Sequence, residues 1–142
     1  MANKDKNSTK DKDVPGVDNF LEAIWQKFHE IFENGRTIIV QIDIEQGSKY
    51  KFSSEVGTDK LPLSDQIELW MEENAYKNNY RLQSMSEVSM IFDDVRIPLR
   101  NQSNGTNYNP NRFGMDMFRF FQKLGIPTSR TLKGNKLFIT VK

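Results

Sequence analysis

The chain has 142 residues, enough for one domain with a substantial core, and a formal net charge of +1. Its 37% hydrophobic and 27% charged residues suit a soluble globular fold. No cysteine is present, which excludes disulfides, thiolate nucleophiles and cysteine metal sites, and no run of eighteen apolar residues exists to cross a membrane.

Residues 1–16, "MANKDKNSTKDKDVPG", are polar throughout. Such a segment buries too little apolar area to offset its ordering entropy, so a disordered tail is expected, not a signal peptide. Together with the missing cysteines this points to the cytoplasm, the protein's own or a host's. Residues 17–142 are expected to form a single α+β domain.

Asp18 reads as the N-cap of a helix over about 18–33. Phe20, Leu21, Ile24, Trp25, Phe28, Ile31 and Phe32 recur at helical spacing, and Gly35 stands where a helix commonly stops. "TIIVQIDI" (37–44) alternates as a strand half-buried on one face. "KYKFSSEV" (49–56) predicts a second strand, and Ser64 caps a helix over about 65–76. "YRLQ" and "VSMIF" predict strands, although Ser84-Met85-Ser86-Glu87 also fits a capping box that would start a short helix. Asp93-Asp94 reads as a turn before "VRIPL", where Pro98 calls for a sheet edge. "NQSNGTNYNPN" (101–111) is a long Asn/Gly/Pro-rich loop. A helix over about 112–124 and a hairpin, "TSRTL" and "KLFITVK" around Lys133-Gly134-Asn135, close the chain. The expected fold is α+β: an antiparallel sheet with three helices packed on one face, suggesting a repeated helix-strand-strand unit.

The near-neutral total hides a split. From Arg96 onward nine Lys/Arg face one acid, Asp116, whereas residues 15–95 hold seven Lys/Arg and fifteen Asp/Glu. Such asymmetry hints at an anionic partner, or at acidic and basic elements that face each other. On the last helix Phe113, Met117, Phe120, Phe121 and Leu124 form a core stripe. Arg112, Asp116, Arg119 and Lys123 line the opposite stripe, with Asp116 within reach of both arginines. Phe118 lies between the stripes. Arg130, Lys133 and Lys136 come from the hairpin, and Arg100 and Tyr108 from the long loop. Cations neutralise phosphates, and aromatic faces stack on unpaired bases. A helix with a basic hairpin resembles the closing half of a winged-helix domain, though the long loop replaces a helix-turn-helix turn. The expected function is a small non-enzymatic nucleic-acid-binding protein using Arg100, Tyr108, Arg112, Phe118, Arg119, Lys123, Arg130, Lys133 and Lys136. Small size and Asn/Lys richness suggest an accessory factor of a virus, phage or mobile element. The alternative is an assembly module pairing its acidic middle and basic end with itself or a protein partner.

Enzymatic signals are sparse. His29 is the only histidine, and neither a phosphate-binding glycine loop nor a nucleophile elbow occurs. Asp43, Glu45 and Asp93-Asp94 are the carboxylates that would hold Mg²⁺ in a nuclease, a third option. No cofactor and no metal are expected.

Overall fold

The computed structural model describes residues 15–101 and 104–142. The chain divides into two compact units, Met1–Glu33 and Asn34–Lys142.

In the first unit the described part is helix α1, Pro15–Asn34, whose last residue belongs to the second unit. It starts three residues before the expected Asp18 cap, because Pro15 suits a first helical position. Pro15 and Gly16 therefore belong to a helix, not to a tail; residues 1–14 of that expected tail lie outside the described residues. Phe20, Leu21, Ile24, Trp25 and Phe28 are all at least half exposed.

Near the start of the second unit Gly35 takes φ +79°, where a side chain would collide with the Ile97 carbonyl. Strand β1 (Arg36–Ile44) follows, then the short strands β2 (Glu55–Val56) and β3 (Leu61–Pro62), and helix α2 (Leu63–Asn74). A 3₁₀ turn at Tyr76–Asn78 leads to β4 (Tyr80–Met85) and β5 (Ser89–Ile97). Helix α3 (Pro110–Lys123) and the hairpin β6 (Thr128–Lys133) and β7 (Lys136–Val141) complete it. The main sheet has five strands in the order β4-β5-β1-β7-β6.

The class is α+β, with one correction to the sheet. It is mixed, because β1 pairs antiparallel with β5 but parallel with β7. The hairpin returns from α3 into the centre of the sheet, so β7 runs alongside β1. The helix-strand-strand unit holds for α2-β4-β5 and α3-β6-β7 only. After α1 the main sheet receives β1 alone.

Most of "KYKFSSEV" is a turned loop instead of a strand. The Lys51 N–H donates to Ser54 Oγ at 2.9 Å and the Ser54 N–H to the Lys51 carbonyl at 3.0 Å. These local bonds compete with sheet pairing. Residues 84–94 are a hairpin and not a helix. The Val88 and Ser89 N–H groups donate to Ser86 Oγ, fixing a turn where a capping box was conceivable. Asp93-Asp94 is no turn either: β5 runs through it, and its pairing with β1 shifts register between Ile38 and Val40. Pro98 needs no edge position, since β5 is an inner strand that ends at Ile97.

The core lies on one face of the sheet. Ile38, Val40 and Ile42 of β1 stand beside Val95, Phe92 and Met90 of β5; Leu137, Ile139 and Val141 extend the layer through β7. Leu63, Ile67 and Met71 of α2, with Phe113, Met117 and Phe121 of α3, close over it. Trp70 joins the two helices, 5.3 Å from Phe113 and 5.7 Å from Phe120 between ring centroids.

Candidate nucleic-acid interface

Helix α3 begins at Pro110, capped by Asn109, whose Oδ1 accepts from the Arg112 N–H at 3.0 Å. Phe113, Met117 and Phe121 face the core, so Arg112, Arg119 and Lys123 project outward, as the helical spacing predicts. Among the described residues no carboxylate pairs with any of these three, nor with Arg130, Lys133 or Lys136.

Asp116 does not bridge Arg112 and Arg119. It accepts a hydrogen bond from the Tyr108 hydroxyl at 2.8 Å. Burial pushes the Tyr108 phenol pKa well above its ordinary range, and the bond to Asp116 and that carboxylate's charge push it further; Arg112 opposes them. Tyr108 is half-buried and ties the loop to α3. Its backbone N–H donates to the Leu99 carbonyl at 2.9 Å. Arg100 anchors the same loop: it bridges Asn107, and its Nη1 donates to the Gly105 carbonyl at 3.3 Å. The long loop is thus a hydrogen-bonded hairpin over its described residues.

The hairpin cations separate. Arg130 stands opposite Ile139, on the helix side of the sheet, whereas Lys133 and Lys136 pair with each other at the tip. Lys136 shares its side of β7 with Phe138, whose ring centroid lies 5.3 Å from the Lys136 Nζ. Strand alternation puts these two lysines on the face away from α3. Arg130 instead crosses onto α3. A Cβ on Gly114 would lie 3.2 Å from its Cδ, and its Cζ sits 5.5 Å from the Phe118 ring centroid. Gly114 therefore admits Arg130, and Phe118 one turn later carries its guanidinium. Phe118 is 37% exposed.

Beside Phe118 a cleft of about 500 Å³ is lined by Gln122, Gly125, Ile126, Pro127 and Thr128. Sequence reasoning passed over Gln122 and Thr128. Gly114, inside an amphipathic helix, was a signal for the approach of Arg130 only.

The carboxylates of the nuclease option are engaged elsewhere. Asp43 accepts from Ser89 Oγ at 2.8 Å and from Gln41 Nε2 at 2.9 Å. Glu45 pairs with Lys142, Asp93 with Arg81 and Asp94 with Arg96. No group of three or more His, Asp or Glu that could hold a metal occurs among the described residues. No helix among them is long and apolar enough to cross a membrane.

Residues 36–142 match a family described as Domain of unknown function (DUF6175). The chain belongs to that family. The match begins at β1 and takes in α3, β6, β7 and the whole surface just described; α1 precedes it. No curated protein and no solved structure matches the chain.

Proposed function

We propose that the protein binds nucleic acid through α3 and the adjoining part of β6. The observation that carries this reading is the outward row Arg112, Arg119 and Lys123, joined by Arg130, with no carboxylate paired to any of them among the described residues. Cations with no carboxylate partner can neutralise phosphates and release a polyanion's condensed counterions on binding. Arg100 and Tyr108 act by holding the loop against α3 in this reading, and Lys133 and Lys136 reach a strand only as it passes the hairpin tip. A nucleic-acid partner and a chain without cysteine fit a cytoplasmic accessory factor, of a cell, virus, phage or mobile element.

Salt-titrated fluorescence anisotropy tests it. Affinity for oligonucleotides falls steeply with salt, and replacing Arg112, Arg119 and Lys123 together by Ala flattens the log–log salt slope by roughly two to three. Thermal denaturation of the triple variant stays near that of the parent, because exposed charges contribute little to stability. Binding that survives the triple change with its salt slope intact rejects this surface.

A second reading rests on a different observation. Glu68 and Glu72 of α2 act on Tyr80 of β4, so acid gathers near one sheet edge while unpaired cations gather near the other. Head-to-tail contact between copies, or with a protein partner, would use both. Light scattering over a concentration series at low salt tests it: self-association supports it, and a monomer at every concentration opposes it.

A further inference from the structure

The cation row says nothing about whether the strand is single or double, but its surroundings do. A recognition helix enters the major groove, a slot about 12 Å wide, and reads bases with its N-terminal residues. Helix α3 is shouldered on both sides. Trp70 of α2 packs against Phe113 and Phe120, and Arg130 of β6 lies across Gly114 and Phe118. The loop leads straight into its N-terminus and is held there by the Asn109 cap and the Tyr108–Asp116 hydrogen bond. A duplex would meet only the outward stripe.

A single strand meets more. The Arg130 Cζ lies 5.5 Å from the Phe118 ring centroid, the ring stays 37% exposed, and the cleft of about 500 Å³ opens beside it, so an aromatic face and a cation are both within reach of an unpaired base. The Gln122 side chain lines that cleft, exposed and without a hydrogen-bond partner among the described residues. Its amide offers two donors and an acceptor to a base edge. Arg119 and Lys123 follow Phe118 and Gln122 directly in the helix, so phosphate-binding charge flanks the exposed ring.

Resting on the nucleic-acid reading, we propose that this site takes single-stranded nucleic acid. One unpaired base stacks at Phe118 and Arg130, Gln122 meets its edge, and Arg119 and Lys123 hold the neighbouring phosphates. The shared chemistry is an unpaired base with its phosphates, and DNA and RNA strands are separate arms of the test.

The experiment is anisotropy of the full chain with labelled oligo-dT, oligo-U and a duplex of equal length. At least one single strand binds about tenfold or more tighter than the duplex. Phe118→Ala weakens that strand by about five- to hundredfold and leaves the duplex unchanged. Phe118→Leu keeps the apolar contact while removing the aromatic face, so its loss of affinity, with an unchanged circular dichroism spectrum, separates stacking from folding. Salt-dependent binding that prefers the duplex, or that is indifferent to Phe118→Leu, overturns the single-strand inference and leaves the nucleic-acid reading standing. Absence of binding to all three probes at low salt overturns both.

Discussion

Along β4 and β5, Arg81 meets Asp93 at 2.8 Å and Arg96 meets Asp94 at 3.2 Å. Along α3 and β6, Arg112, Arg119, Lys123 and Arg130 meet no carboxylate among the described residues. Both sides carry arginine, yet only the second keeps its charge available to a partner. Asp116 lies on the same helix, yet its hydrogen-bond donor is the Tyr108 hydroxyl and neither Arg112 nor Arg119. A cation count therefore misjudges a surface unless each charge is followed to its partner. The difference also predicts where salt acts: on binding at α3, and scarcely at all through β4.

The largest way to break the comparison is to remove the support under the basic side. Phe121 is fully buried among the residues that hold α3 on the sheet. Phe121→Ala is expected to cost about 3–5 kcal/mol in urea denaturation, from lost transfer energy and the cavity left behind. Oligonucleotide binding is lost with the fold. A milder change that kept the stripe cations in place would show that α3 does not depend on this packing.

A smaller change sharpens it. Tyr108→Phe takes from Asp116 its only side-chain donor among the described residues, and is expected to cost about 1–3 kcal/mol because the acceptor is charged and half-buried. The sign with pH follows from the raised Tyr108 pKa, which burial and then Asp116 lift above the ordinary value of 10.0. The folded chain holds this proton more tightly than the unfolded chain. The stabilisation is complete below that ordinary value and declines as pH rises through and beyond it. The stability gap between parent and Tyr108→Phe therefore narrows from about pH 9 to pH 11. A gap that stays constant over that range would show that the folded chain does not hold the Tyr108 proton more tightly than the unfolded chain. The variant also frees Asp116 to turn toward Arg112, so binding falls slightly at low salt.

How much of this was legible in the sequence depends on how local each cause is. The three helices and β1 follow from side-chain period, which a chain carries in itself. So does the separation of Phe113 and Phe121 from Arg112, Arg119 and Lys123. The parallel pairing of β1 with β7 joins residues nearly a hundred positions apart, and no local pattern announces it. Asp93-Asp94 has turn chemistry, and pairing on both sides of β5 overrides it. Tyr50 and Phe52 alternate with lysines as a strand would, but Ser54 captures the backbone first. In the site, the division of Arg130 from Lys133 and Lys136 follows from a two-residue turn and strand parity, so it was within reach. The Tyr108–Asp116 bond and the passage of Arg130 over Gly114 were not, because they depend on how the loop and β6 lie against α3.

The smallest effect is expected on the other side, and it is the control for the rest. Arg81 holds Asp93 through two hydrogen bonds, Nε to Oδ1 at 2.8 Å and Nη2 to Oδ2 at 2.9 Å. The hydrogen bond from Arg81 depresses the Asp93 carboxyl pKa, outweighing the opposing effect of desolvation. Both side chains sit at the surface, where such pairs contribute little to stability. Arg81→Ala therefore leaves thermal denaturation almost unmoved. It returns the Asp93 pKa toward the ordinary carboxylate range, which a carbon-detected NMR titration reads directly. Sign matters here too: a depressed pKa adds stability at pH above the ordinary carboxylate value, and that contribution fades as pH falls through the folded one. Oligonucleotide affinity and its salt slope stay as in the parent, although one cation has been removed. If Arg81→Ala weakened binding as much as loss of a single cation from α3, net charge and not pairing would govern the contact. The contrast between the two sides would then reduce to electrostatics at a distance.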